Sequence, residues 1–175
     1  MSVAADEFAC PTCGMASTTP DRCSHCGAPI HDIEHYGPPM SLRVGTKIIP
    51  ISDPSCLNAL FATTVVRLEN GFRGSRFPFC QYLWEGLLLP QHCEQALIEL
   101  REIRRELSQQ PIAHLVWNMG DSNVAHAWTT QSGTATSLAE FFRLSDGTNL
   151  LDLCEEVLKD AVRQSRAVTL TAKDW

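Results

Sequence analysis

Two Cys-x2-Cys pairs, Cys10-Pro11-Thr12-Cys13 and Cys23-Ser24-His25-Cys26, stand nine residues apart near the start of this 175-residue chain, and each is followed by a glycine. Four thiolates suit a tetrahedral Zn2+, two intervening residues let both sulfurs of a pair reach one ion, and the glycines allow the tight turns that aim backbone N–H groups at the thiolates. The spacing predicts a zinc ribbon over residues 8–31, with Cys10, Cys13, Cys23 and Cys26 holding one structural Zn2+ per chain. A redox dithiol would need a single pair beside a βαβ pattern, and two copies with matching glycines are not that. Four protein ligands close the site, leaving no open position for catalysis. The segment has only Phe8, Met15 and Ile30 to pack, so metal binding and folding there are expected to be one event. Gly37-Pro38-Pro39 resists helix, which marks residues 32–40 as a linker.

Charge narrows the choice of partners. Residues 1 to 40 carry five acidic side chains against Arg22 alone, giving −4; the remainder has 15 acidic and 13 basic, giving −2 and a total of −6. Zinc ribbons can touch nucleic acid, but neutralising phosphates takes clustered Lys and Arg, and no basic stripe exists here. Direct nucleic-acid binding is therefore not expected. Cys56, Cys80, Cys93 and Cys154 are scattered through apolar or amphipathic segments without a pairing pattern, the usage of reduced core thiols. The start lacks a basic n-region and an apolar h-region, and no stretch approaches the ~18 apolar residues of a membrane span. These features predict a cytoplasmic, soluble protein with no membrane partner.

Residues 41–171 read as a single α+β domain. Leu42, Val44, Thr46 and Ile48 alternate with Arg43, Gly45 and Lys47, the period of a half-buried strand. Asp53-Pro54 is an N-cap followed by a proline at the first helical position, and Leu57, Leu60, Phe61, Val65 and Leu68 then share a face until Asn70-Gly71. A turn-rich run, residues 71–78, leads to a short aromatic segment around Tyr82 and Trp84. Over residues 91–109, Cys93, Leu97, Leu100, Ile103 and Leu107 form a stripe opposite Glu99, Glu102, Arg105 and Glu106, which predicts the longest helix. Residues 112–119 are expected as a buried strand, 120–137 as an exposed loop, 137–142 as a short helix, 150–162 as an amphipathic helix and 167–171 as a strand. Strands and helices interleave without regular βαβ repeats, hence α+β and not a doubly wound sheet.

Catalytic signatures do not emerge. His92, His114 and His126 lie singly, without His-x-x-x-His spacing, as surface or satisfied core histidines do. Cys93 sits on the apolar stripe of its helix, no nucleophile signature surrounds it or Cys80, and Gly71-x-x-Gly74 is too short to cradle phosphate. Arg76, within Gly74-Ser75-Arg76-Phe77-Pro78, admits two readings: a partner-binding residue on a loop, or a charged brace for a carboxylate or helix C-terminus beside the core anchor Phe77. Trp117 suits the core, whereas Trp128 in the polar loop suits exposure as an interface anchor.

The order of Gly74-Ser75-Arg76-Phe77-Pro78, the helix with Glu99-Leu100-x-x-Ile103 and Glu106-Leu107, the run Val116-Trp117-Asn118 and the tail Phe142-Arg143-Leu144-Ser145-Asp146-Gly147 resembles the Immunity protein 70 family over roughly residues 42 to 165. Those are bacterial proteins encoded beside polymorphic toxins that protect the producer by binding the toxin. The ribbon separately resembles a small bacterial Cys-Pro-x-Cys-Gly zinc module over residues 9–30. Two departures stand out: Asn118 replaces the family's aspartate, and Gly120-Asp121-Ser122-Asn123 with His126-Ala127-Trp128 replaces an acidic, proline-rich loop. The resemblance implies a non-enzymatic immunity protein that neutralises a cognate bacterial toxin by stoichiometric contact. An acidic domain suits a basic toxin such as a nuclease, and Asp121 and Trp128, with Arg76, are the contact candidates. The alternative is a zinc-ribbon adaptor that recruits a regulatory or nucleic-acid-processing complex; an enzyme of unrecognised type is third.

Overall fold

A computed structural model describes residues 8–9, 16–17, 40–117, 119, 135–144 and 146–172. The chain divides into two compact units, residues 1–36 and 37–175. In the first, β1 (Phe8–Ala9) pairs antiparallel with β2 (Ala16–Ser17), Phe8 opposite Ser17 and Ala9 opposite Ala16. The four cysteines of the expected ribbon lie outside the described residues.

The second unit is an α+β layer pair. Its sheet has the order β4-β3-β6-β5, all antiparallel, from β3 (Met40–Val44), β4 (Lys47–Ile51), β5 (Leu87–Leu88) and β6 (Val168–Ala172). The single strand expected around residues 42–48 is a hairpin instead. Gly45, at φ 57, opens a two-residue turn that a residue with a Cβ would adopt only with strain. Leu42, Val44, Ile51, Leu88, Val168 and Leu170 point to one face and are buried. The opposite face presents Arg43, Ile48, Leu87 and Thr171 to solvent. Both sheet edges are blunted, β5 by its two-residue length and β4 by Pro50, which cannot donate to a further strand.

Among the described residues, five α-helices supply the second layer. Asp53 caps α1 (Pro54–Thr63) by accepting from the N–H groups of Ser55 at 3.1 Å and Cys56 at 3.3 Å, and Pro54 occupies the first turn. A π-helical turn, Thr64–Leu68, extends α1 until Asn70 and Gly71 take up left-handed conformations. The aromatic segment forms α2 (Pro78–Trp84), followed by α3 (Cys93–Leu107), α4 (Leu138–Phe141) and α5 (Leu150–Gln164), whose N-cap is Asn149. None of these helices is long and apolar enough to cross a membrane.

On α3 the buried stripe is Cys93, Ala96, Leu100, Ile103 and Leu107, with Leu97 half-buried and Glu99 buried rather than on the polar face. The helix packs on α5, where Arg104 pairs with Asp152 at 2.6 Å and Arg101 with Glu155 at 3.1 Å. The buried strand expected over residues 112–119 is absent among the described residues of that run. Residues 112–114 make a 3-10 turn, after which Leu115 and Val116 are buried in extended backbone. No neighbouring strand pairs with them: the Thr63 hydroxyl receives the Val116 N–H at 3.0 Å and donates to the Val116 carbonyl at 3.1 Å.

Leu100 is 2 % exposed at the centre of the core. Leu100→Ala should lower unfolding free energy by about 2–5 kcal/mol in a denaturant titration, with an unchanged m-value.

Candidate functional site

The first turn of α2 starts with two residues that cannot cap it. Phe77 has no polar side chain and Pro78 no N–H, so the remaining donors need acceptors from elsewhere. Glu99 of α3 supplies one, a single carboxylate oxygen that accepts from Phe79 N at 3.0 Å and Cys80 N at 2.9 Å. Glu69, just after the π turn, supplies the other: one oxygen accepts from the N–H groups of Arg76 and Phe77, both at 3.0 Å, and its second oxygen from Gly74 N at 3.1 Å. Both carboxylates are nearly inaccessible, 2 % exposed for Glu69 and 5 % for Glu99. Burial pushes the Glu99 carboxyl above its usual range, against the opposing effect of the Cys80 and Phe79 N–H groups. Burial, followed by the adjacent Glu99 charge, likewise pushes the Cys80 thiol well up.

Arg76 leaves the same loop in the opposite direction. Its guanidinium donates to the Leu68 carbonyl at 2.8 Å, to Glu106 at 2.6 and 3.1 Å and to Glu102 at 3.2 Å. It also lies over the Phe77 ring, 4.9 Å from the centroid. Its hydrogen bond holds the Glu106 carboxyl below the usual range. These contacts serve a carboxylate pair and a helix C-terminus at once, the geometry of a brace.

Beside the brace runs an aromatic and cationic strip. Phe61 of α1 meets Trp84 of α2 edge to face, with ring centroids 5.0 Å apart. The Arg73 guanidinium lies over the Phe61 ring at 4.8 Å and reaches the Met119 sulfur at 3.9 Å. Arg67, on the π turn, donates to the His114 carbonyl at 2.9 Å. Phe72 is 73 % exposed next to Arg73, and Met119 is 44 % exposed. Contacts from Arg67 to His114 and from Thr63 to Val116 hold residues 114–116 along the end of α1, where the helix gives way to the π turn.

A protein-family model, Immunity protein 70, matches residues 42–170, from the middle of β3 to the middle of β6. The chain belongs to that family. No curated protein and no solved structure gives a significant match.

In this Immunity protein 70 member, Arg76 has the placement described above, while Cys10, Cys13, Cys23, Cys26, Asp121, Trp128 and His126 lie outside the described residues. Among the described residues, no group of His, Cys, Asp and Glu is placed to hold a metal ion. Cys56, Cys80, Cys93 and Cys154 are buried and unbridged, and burial pushes the thiols of Cys56 and Cys154 up to about 12. The His92 ring lies tilted against that of Phe79, with centroids 4.8 Å apart, and exposed His114 bonds Gln110 at 2.6 Å. Trp117 is half-buried against the core. Sequence reasoning missed Glu69, Glu99 and the strip. The available signals were the uncapped start at Phe77-Pro78 and the position of Glu99, three residues after Ala96 and four before Ile103, both of which are buried.

Glu99→Ala should destabilise the protein by roughly 1–3 kcal/mol for each of the two stranded donors. Glu99→Gln retains an oxygen for them and removes the charge. Because the folded Glu99 carboxyl titrates above its unfolded value of about 4.3, the wild type loses stability as pH rises from there through the folded value. Glu99→Gln should therefore gain on the wild type in denaturation midpoints as pH rises above the unfolded value. Glu106 has the opposite sign: its contribution is present above the unfolded value and is lost as pH falls through the depressed folded one.

Proposed function

We propose that this chain neutralises a cognate bacterial toxin by stoichiometric, non-catalytic contact, one immunity protein to one toxin. The family match over residues 42–170, which is nearly the whole α+β body, carries the reading. What supports a non-catalytic mode is the commitment of the reactive groups. The body thiols are buried and hold their protons at neutral pH, and Glu69 and Glu99 are occupied by backbone N–H groups. Asp121 and Trp128 remain contact candidates on the segment that follows Met119, with Arg76 as a residue of the rim.

Four of the six net negative charges lie in residues 1 to 40. In the body, Glu102, Glu106, Asp152, Glu155, Glu156 and Asp160 are engaged in ion pairs. For a basic toxin such as a nuclease, long-range attraction would therefore come mainly from the N-terminal segment. Titration of a purified cognate toxin against the purified chain should reach full inhibition at a ratio of one. Complete protection at a ratio far below one would mean turnover and an enzyme.

Cys10, Cys13, Cys23 and Cys26 are proposed to hold one structural Zn2+. The donor chemistry fits, and the pairing of β1 with β2 brackets residues 10–15, the stretch that carries the first cysteine pair. Elemental analysis should find one zinc per chain. Cys23→Ser should lose the metal while leaving the thermal transition of the body in place; a metal-free wild type would end the assignment.

A further inference from the structure

We propose that the strip formed by Phe61, Arg67, Phe72, Arg73, Trp84 and Met119 is the face on which the toxin docks, and that the toxin segment seated there sets carboxylates among apolar side chains. This rests on the reading that the chain neutralises a toxin by direct binding, and adds the place and the chemistry of contact.

The charge distribution points to this face. Arg76, Arg101, Arg104, Arg105 and Arg163 each pair with carboxylates of the chain itself. Arg67 and Arg73 do not, among the described residues, and neither do Arg43, Arg143 and Arg166; what sets this face apart is that Arg73 also lies over an aromatic ring beside exposed Phe72 and Met119. Arg67 donates to a main-chain carbonyl, and Arg73 is spread over its ring beside a thioether. Each of these two guanidinium groups has five N–H donors and uses few of them here, so both can still accept a carboxylate in a forked geometry. Arg73 reaches exposed Met119 and follows exposed Phe72 in the chain, and Arg, Met and aromatic side chains together are what the centres of protein interfaces favour.

The strip is also held in shape before any partner arrives. Thr63 binds the Val116 backbone through both its donor and its acceptor, Phe61 and Trp84 lock edge to face, and Glu69 pins the loop at Gly74 immediately after Arg73. Docking onto such a surface orders few side chains, which preserves binding energy.

Other occupants fit less well. Two guanidinium groups neutralise too few phosphates for a nucleic acid to bind firmly to a chain of net charge −6. A second copy of the chain, packed strip to strip about a two-fold axis, would set like charges against each other.

The test uses the full chain and a purified cognate toxin, inactivated in its own active site, with affinity read by calorimetry. Phe72→Ala should weaken binding about tenfold, and the double variant Arg67→Glu with Arg73→Glu by at least ~100-fold. Arg43→Glu, on the exposed sheet face, should stay within about twofold. Hydrogen exchange on the unmodified complex should show protection of peptides covering residues 61–73, an observation that needs no variant to fold. If the wild type does not bind the toxin, the immunity reading itself fails. Wild-type binding with unaltered affinity in the strip variants, and no protection over 61–73, overturns the docking face alone. A wild-type chain that binds a 20-base-pair duplex and loses it in the double variant, or a dimer in sedimentation that Phe72→Ala dissolves, would assign the strip to another occupant.

Discussion

Two carboxylates turned into the protein, Glu69 and Glu99, hold the segment from Gly74 to Cys80 in place through five backbone N–H groups. A buried carboxylate is costly unless its oxygens are satisfied. Here they are satisfied by donors that the chain would otherwise strand at the start of α2. Each solves the other's problem, and neither can be removed alone without exposing the partner's deficit. The same arrangement seats Phe77 in the core and turns Arg76 toward α3. It also leaves Phe72 and Arg73 facing outward. What looks like a loose turn is a fixed junction between the end of α1, the start of α2 and the middle of α3.

The parts of this architecture that depend on neighbours in the chain were legible in the sequence. Asp53-Pro54 starts α1, Asn70-Gly71 stops its extension, and the apolar periods of α3 and α5 give their extent to within a few residues. Errors arose where the deciding contact is distant. The alternation of Leu42 to Ile48 looked unbroken because a two-residue turn at Gly45-Thr46 flips which parity faces inward, and only the register of β3 with β4 reveals it. Val116 resembles a strand residue, yet its hydrogen bonds go to the side chain of Thr63, 53 positions earlier. Arg76 was visible as a loop residue with two possible duties. Its acceptors on α3, 26 and 30 positions later, could not be read from its own motif.

Charge follows a similar division. Along α3 and α5 acidic and basic side chains meet one another, so these two helices present closed pairs. Such exposed pairs add little stability, a median near 0–1 kcal/mol each, but they leave few free charges to attract an unintended partner. Against that background the cations near Phe61 and Phe72 differ in kind and not only in number. Closed pairs along α3 and α5 set off the strip, where a cation lies over a ring beside exposed apolar side chains.

The sheet places β3 beside β6, so Ser41 and Thr171, 130 positions apart, touch across its centre. β5 has no other strand neighbour among the described residues, and β3 has only β4 besides. On the ribosome, β3 and β4 therefore emerge as a hairpin with half of its hydrogen-bonding edge unmet, and wait for nearly the whole body to follow. Local helices can form meanwhile, but the layer they cover cannot close until β6 is released. A chain cut short before residue 168 would lose a central strand and not a margin. Completion of the sheet is thus tied to the last stretch of the body to be synthesised, and a chain that stops just short of it has its helices but not the middle of its sheet.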